Sequence, residues 1–322
     1  MPQVDLACRE AAPMFVESFG LPASIGALFE YVDERWDGRG APGAKGEEIP
    51  LAMRIAHVAR DIDVQRVLGG PKLAARVVGE RAGSAFDPAI AARFVDEAKE
   101  MLAVDDEASV WDQTLACEPA PRFTLEGAAI DRALSAMGDF ADLASPYLAG
   151  HSAGVAELAS AAAQRHGLDP AEVTAVRRAA SVHDVGRVAV PIPIWHKEGP
   201  LTAGEWERVR LHPYHSERVL SRSPFLAGRA PVATAHHERL GGSGYHRGAA
   251  AAALTQSARI LAAADAYHAM TEPRPTAGRW RPSKPQRRWA RRCAPGVWTP
   301  KRSPRCFPPP ASPSPESSGP PV

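Results

Sequence analysis

Residues 151–187 read HSAGVAELASAAAQRHGLDPAEVTAVRRAASVHDVGR, and the fold follows from how this stretch is punctuated. Val155, Leu158, Ala159 and Ala162 recur at three- and four-residue spacing, which puts them on one helix face. Gly167 supplies a stop, and Pro170 stands where a first helical turn tolerates a missing amide, so a second helix begins there. That helix is expected to close at His183-Asp184, just before Gly186. Two consecutive helices therefore carry nitrogen and oxygen donors at their ends: His151 opens the first, and the His-Asp pair closes the second.

The same signals extend outward. Thr202 followed by Glu205 matches a capping box, in which hydroxyl and carboxylate satisfy orphan amides at a helix start. Pro213 and Pro231 suit further first turns, and Gly241-Gly242 suits a stop. No alternating pattern of useful length appears, so residues 1–272 read as all-α. The chain has 322 residues, enough for about two domains with real cores. Its 45% hydrophobic and 23% charged residues exclude wholesale disorder and a membrane bundle.

The near-neutral net charge of +1 hides a split: residues 273–322 carry +10 and residues 1–272 carry −9. The last fifty residues hold fourteen prolines and no Leu, Ile, Met or Asp, so they cannot build a core. Two readings fit. One is a basic disordered tail that touches nucleic acid or acidic surfaces. The other is a GC-rich gene read in a shifted frame after about Arg274 or Pro275, which produces an abrupt onset of Pro, Arg and Trp. No function is placed on this segment. Cys8, Cys117, Cys293 and Cys306 form no C-x-x-C pair, so neither a disulfide framework nor a thiolate metal site is expected. The start, Met1 to Glu10, has no apolar run, and no eighteen-residue apolar stretch occurs, so the expected compartment is the cytoplasm.

A repeat is also legible. Glu34-Arg35-Trp36-Asp37-Gly38-Arg39-Gly40 aligns with Glu238-Arg239-Leu240-Gly241-Gly242-Ser243-Gly244 at an offset of 204. The first copy has Val32-Asp33 where the second has His236-His237, so it lacks those donors. Chance similarity between glycine-rich loops is the plain alternative.

The second copy collects the donors. His151, His183-Asp184, His212, His236-His237 and Asp265 come from five separate segments. Imidazoles with one or two carboxylates suit iron, manganese, zinc, cobalt or nickel, whereas all-oxygen sets suit magnesium. A bridging carboxylate can hold two ions, and a water between ions about 3.5 to 4 Å apart becomes hydroxide at neutral pH while the ions cancel phosphoryl charge. The set thus suits hydrolysis of a phosphate ester.

This order resembles the HD-GYP family: His151, then His183-Asp184-Val185-Gly186-Arg187, His212-Pro213, His236-His237-Glu238-Arg239 with Gly242-Ser243-Gly244-Tyr245, then Asp265. The resemblance implies an α-helical HD-domain bundle and phosphodiesterase action on cyclic di-GMP or a related cyclic dinucleotide. It also implies metal ligation by His151, His183, Asp184, His212, His236, His237 and Asp265, with Asp184 as the bridge. Catalysis falls to Asp184 and Arg187, the latter replacing the family's common lysine and gripping phosphate through a bidentate fork. Gly244, Tyr245 and Arg247 of the GYP loop would meet substrate. The expected architecture is a degenerate HD-GYP-like half over 1–120, a complete module over 121–272 and the tail 273–322.

Three departures matter. His246 replaces the family's proline, Gly241 replaces a frequent aspartate, and Tyr147 stands where three-metal members carry glutamate, so two ions, iron or manganese, are expected. His166, His196, His215 and His268 match no ligand position, and His57 reads as packing. The first copy is expected to be a structural partner or to support a homodimer. Tandem modules of this kind resemble regulators with a C-terminal LuxR-type helix-turn-helix, but none is legible in 273–322, so DNA binding has no support there. The alternative to an enzyme is a module that senses nucleotide or metal without turnover.

Overall fold

The structure, a computed structural model, describes residues 11–103, 109–120 and 122–271. The Pro- and Arg-rich segment 273–322, and with it the shifted-frame reading, lies outside the described residues. Among those described, the named elements are all helical. Extended pairing is limited to isolated bridges such as Asp33 with Ala41 and Gly241 with Ala250. The all-α expectation holds because the apolar residues keep helical rather than alternating spacing.

The chain divides into two compact units, Met1–Ala136 and Met137–Val322. The first contains α1 (Ala23–Leu28), α2 (Leu51–Glu80), α3 (Pro88–Met101) and α4 (Val110–Ala116). Helix α2 is broken at Gly69 and Gly70, whose backbone angles are not helical, immediately before Pro71. Its two limbs supply Val58, Ala74 and Val78 to a core shared with Phe86, Ala91 and Phe94. Asp87 caps α3 and pairs with Arg54 at 2.7 Å, joining the two helices.

The division falls within α5 (Ala128–Asp142). The second unit continues through α6 (His151–Arg165), α7 (Pro170–Ser181), a 3₁₀ turn at Val185–Ala189, α8 (Ile192–Trp195), α9 (Ala203–Arg210) and α10 (His212–Leu220). Short α11 (Pro224–Ala227) and α12 (Ala230–Ala233) lead through a loop to α13 (Gln256–Thr271). Val155, Ala159 and Ala163 of α6 meet Val176 and Ala180 of α7 and Leu261 and Ala264 of α13 in one core. The preponderance of alanine lets these axes approach closely. Helix α7 starts as expected, with Pro170 in its first turn and Asp169 accepting from the amides of Ala171 and Glu172. The capping box of Thr202 and Glu205 is likewise formed.

The two loops that align in sequence share a construction. Glu34 is buried, and its Oε1 accepts from the amides of Gly43 at 2.6 Å and Ala44 at 2.8 Å. Glu238 is buried too, and its carboxylate accepts from the amides of Arg247 and Ala249, both at 2.8 Å. A Cβ at Gly40 would lie 2.5 Å from Glu34 Cα, and one at Gly244 would lie 2.5 Å from Glu238 Cα. In both places the glycine lets the returning strand of the loop cross directly over the glutamate's backbone.

Candidate metal centre

Three histidines reach the second unit's interior by one local device. Helices end with carbonyls that have no intrahelical partner. Ala180, Val209 and Ala233 lie in the last turns of α7, α9 and α12, and each accepts from the Nδ1–H of a histidine three residues on. The pairs are His183 with Ala180 at 2.7 Å, His212 with Val209 at 2.6 Å and His236 with Ala233 at 2.7 Å. A carbonyl only accepts, so the proton sits on Nδ1 and the Nε2 lone pair points inward.

All three Nε2 atoms point at Asp184, which is fully buried. Its two oxygens face different sets. Oδ1 lies 3.1 Å from His212 Nε2 and 3.3 Å from His236 Nε2. Oδ2 lies 3.0 Å from His183 Nε2 and 3.4 Å from His151 Nε2. Asp265, from the middle of α13, brings Oδ1 to 3.4 Å from His151 Nε2 and Oδ2 to 3.8 Å from His237 Nδ1. The seven side chains expected to bind metal therefore gather at one place.

The donors fit cations. Neither oxygen of Asp184 nor Nε2 of His183 makes a well-formed hydrogen bond, although all are buried, and Oδ2 has the Arg187 guanidinium as an ion-pair partner. Nε2 of His212 and Nε2 of His236 face each other at 3.1 Å. Two lone pairs this close repel, whereas about 3 Å is the spacing of neighbouring donors around one ion with bonds of ~2.1 Å. Donor atoms of His212, His236 and His237 lie within 4.8 Å of one another, as do those of His151, His183 and Asp265. The buried histidine and aspartate clusters thus fit a metal centre, with one carboxylate oxygen turned toward each trio.

The electrostatics keep the donors ready. Burial pushes His183, His212 and His237 below the ordinary imidazole range, so they stay neutral. Burial alone would raise the Asp184 carboxyl, but Arg187 and His183 outweigh it and hold Asp184 well below the usual carboxylate range. Asp265 is held low against burial by His151, His237 and His236. Neutral imidazoles with ionised carboxylates are the protonation states that metal binding requires.

The remaining expected residues separate. Arg187 is buried and points at Asp184, with Nη2 2.5 Å from Oδ2. Tyr245 stacks on His237 with ring centroids 4.7 Å apart, and the Arg210 guanidinium lies 5.1 Å from its ring centre. Burial, with Asp184 and Asp265 nearby, pushes its phenol up to about 12, so it remains a donor. Gly244 provides the close crossing described above. Arg247 differs: its guanidinium is exposed and pairs with Glu217 of α10, beside His246 at 3.6 Å from the same carboxylate. Tyr147 is 38% exposed on a short turn. His268, which matches no ligand position, packs its ring edge-on against His151 at 5.3 Å.

Sequence reasoning passed over the supports. Arg239 lines, with Arg187, His237 and Asp265, a cleft of about 330 Å³ that opens over the donors, within the range of small-ligand sites. Ser216 donates its hydroxyl to the His183 carbonyl at 2.7 Å and accepts from Gly186 N at 2.9 Å. Asp142 is buried in α5 and accepts from the Ser152 amide at 2.8 Å and its hydroxyl at 2.9 Å. It caps α6 in place of Gly150, which has no side chain to do so, and thereby seats His151. Burial pushes the Asp142 carboxyl up to about 6 despite these bonds. Replacing Asp142 by alanine is expected to cost about 2 kcal/mol, as loss of a cap does. Chemical denaturation checks it, and an unchanged midpoint would contradict the capping role.

Residues 135–284 match the family model described as HD domain. The chain is 34% identical over 250 residues to "3'3'-cGAMP-specific phosphodiesterase 3" of Vibrio cholerae, covering 76% of this chain and 54% of that protein. It therefore spans about half the length of that relative. It is 39% identical over 127 residues to "Cyclic di-GMP phosphodiesterase" of Thermotoga maritima, 39% of this chain and 34% of that one. A crystal structure of a cyclic GMP-AMP specific phosphodiesterase of V. cholerae, V-cGAP3, superposes with a TM-score of 0.59 at 27% identity, covering 90% of this chain and 68% of the other. No helix among the described residues is long and apolar enough to cross a membrane. With its clustered histidines and aspartates, the chain carries an HD domain and is related to the HD-GYP cyclic dinucleotide phosphodiesterases.

Proposed function

We propose that residues 121–272 form a metal-dependent phosphodiesterase of the HD-GYP type that opens a cyclic dinucleotide, cyclic di-GMP or 3'3'-cGAMP, by adding water across a phosphodiester. The observation that carries this reading is Asp184, with one oxygen facing His212 and His236 and the other facing His151 and His183. His237 and Asp265 complete the two sets. When bound, two divalent ions supply Lewis acidity at phosphorus and acidify the attacking water. Imidazole with carboxylate suits iron or manganese.

The chain's own residues do the rest. Arg187 and Arg239, at the cleft, bring positive charge to a phosphodiester. Tyr245, protonated and stacked on His237, offers a hydroxyl and a ring face beside the donors. Glu238 holds the loop that carries it. The Arg247 guanidinium pairs with Glu217 of α10, and contact with substrate requires that pair to open.

Residues 1–120 are read as a degenerate copy. The matched pairs Glu34 with Gly40 and Glu238 with Gly244 support this, and Val32 and Asp33 stand where the second copy has His236 and His237. Among the described residues the metal-competent clusters all belong to the second unit.

The test is metal analysis of the purified chain, followed by hydrolysis of both cyclic dinucleotides after loading with iron(II) or manganese(II). Linear dinucleotide should appear, and a chelator should stop it. Dinucleotide bound but never opened by the loaded protein would favour a sensing module instead.

A further inference from the structure

Arg187 occupies an unusual place. Its guanidinium is buried, and Nη2 lies 2.5 Å from Asp184 Oδ2 and 3.4 Å from His151 Nε2. Both atoms belong to the same donor set, the one completed by His183 and Asp265. An arginine cannot give way by losing its proton, because it stays charged at any relevant pH. A divalent ion entering this set meets a fixed positive charge already at ion-pair distance, in a buried setting where water screens little.

The arginine is nevertheless poorly satisfied there. Its Nε and Nη1 are buried without a hydrogen-bond partner, which is costly for charged donors. The side chain also lines the cleft over the site. An anion in that cleft would offer two oxygens to the guanidinium fork, a stronger arrangement than a single ion pair. The backbone need not move for this: the Arg187 carbonyl accepts from Trp195 Nε1 at 3.4 Å, and the indole backs the guanidinium at 5.7 Å.

We infer that Arg187 gates one of the two cation sites. One ion binds directly at the set of His212, His236, His237 and Asp184 Oδ1. The second binds tightly only after Arg187 transfers from Asp184 and His151 to a phosphate-type anion in the cleft. This rests on the two-ion reading above. By linkage, the anion and the second ion then strengthen each other by the same factor. A substrate phosphodiester thereby helps complete the site that acts on it.

Manganese(II) binding to the metal-free full chain, read from the electron paramagnetic resonance of free ion, tests this with inorganic phosphate as the anion. The wild-type chain should take one ion tightly and a second about a hundredfold more weakly, and phosphate should tighten the second by roughly tenfold. Arg187→Gln should take both ions within about threefold of each other, with no response to phosphate. Arg187→Met, which keeps much of the volume without a donor, should behave alike, and the wild-type response to phosphate is a test that needs no variant. Two equally tight ions in the wild type without phosphate, or a gap that persists in both variants, would overturn the inference. Failure of any protein to bind manganese would instead remove the two-ion reading beneath it.

Discussion

Asp184→Asn is expected to lower hydrolysis by about a thousandfold or more, because each oxygen of this carboxylate serves a different donor set. An asparagine keeps the shape but exchanges one oxygen for an amide nitrogen that cannot bind a cation, and removes the negative charge that both ions would share. Metal per chain should fall together with activity. Stability should suffer as well: Arg187 then stays buried without its counter-charge, a loss of about 3–5 kcal/mol for a broken buried pair. The double variant Asp184→Asn, Arg187→Gln should regain part of that stability and none of the activity, which separates the two roles. An asparagine variant that still holds two ions and turns over within tenfold of wild type would sink the bridging assignment.

Gly186→Ala is expected to be the most damaging conservative change in the second unit. A Cβ there would lie 2.1 Å from the His212 carbonyl oxygen and 2.3 Å from Ser216 N. Both are backbone atoms, so no side-chain rotation relieves the clash, and α10 must back away from the His183-Asp184 turn. Gly186 is not among the glycines with positive φ, so the requirement is one of space. Overpacking of this kind costs about 3 kcal/mol, a fall in thermal midpoint of roughly 10 °C. It also breaks the Ser216 bridge between the turn and the helix. Because His212 opens α10, its Nε2 should move from Asp184, and metal should be lost even where folding survives. Ser216→Ala, which removes only the hydroxyl, should cost about 1–2 kcal/mol. A Gly186→Ala chain that unfolds at the wild-type temperature would show that the contact is slack.

Local reading carried far in the second unit. The starts of α7 and α9 follow from Asp169-Pro170 and Thr202-Glu205, whose caps act within a few residues. Helix α7 ends at Ser181, short of His183, and this shortening frees the Ala180 carbonyl that fixes the imidazole. The role of Gly186 was less legible: as a helix stop it reads as conformational, while its neighbours in space come from α10. Arg187 read as a phosphate grip; Asp184 stands only three residues before it, but nothing in the local sequence reveals that His151 also lies 3.4 Å from its guanidinium.

What the amino-acid order determined by itself was the helical class and the starts of the main helices, since periodicity and caps are local properties; residue type offered His and Asp candidates, and the resemblance to the HD-GYP order singled out the seven. Only the tertiary structure decided which oxygen of Asp184 faces which histidines, that Asp142 caps the helix of His151, that Glu238 secures the loop of Tyr245, and that the Arg187 guanidinium reaches His151. These are contacts between segments up to tens of residues apart. They are set by how closely the alanine-rich helices pack, a distance in space that spacing along the chain does not encode.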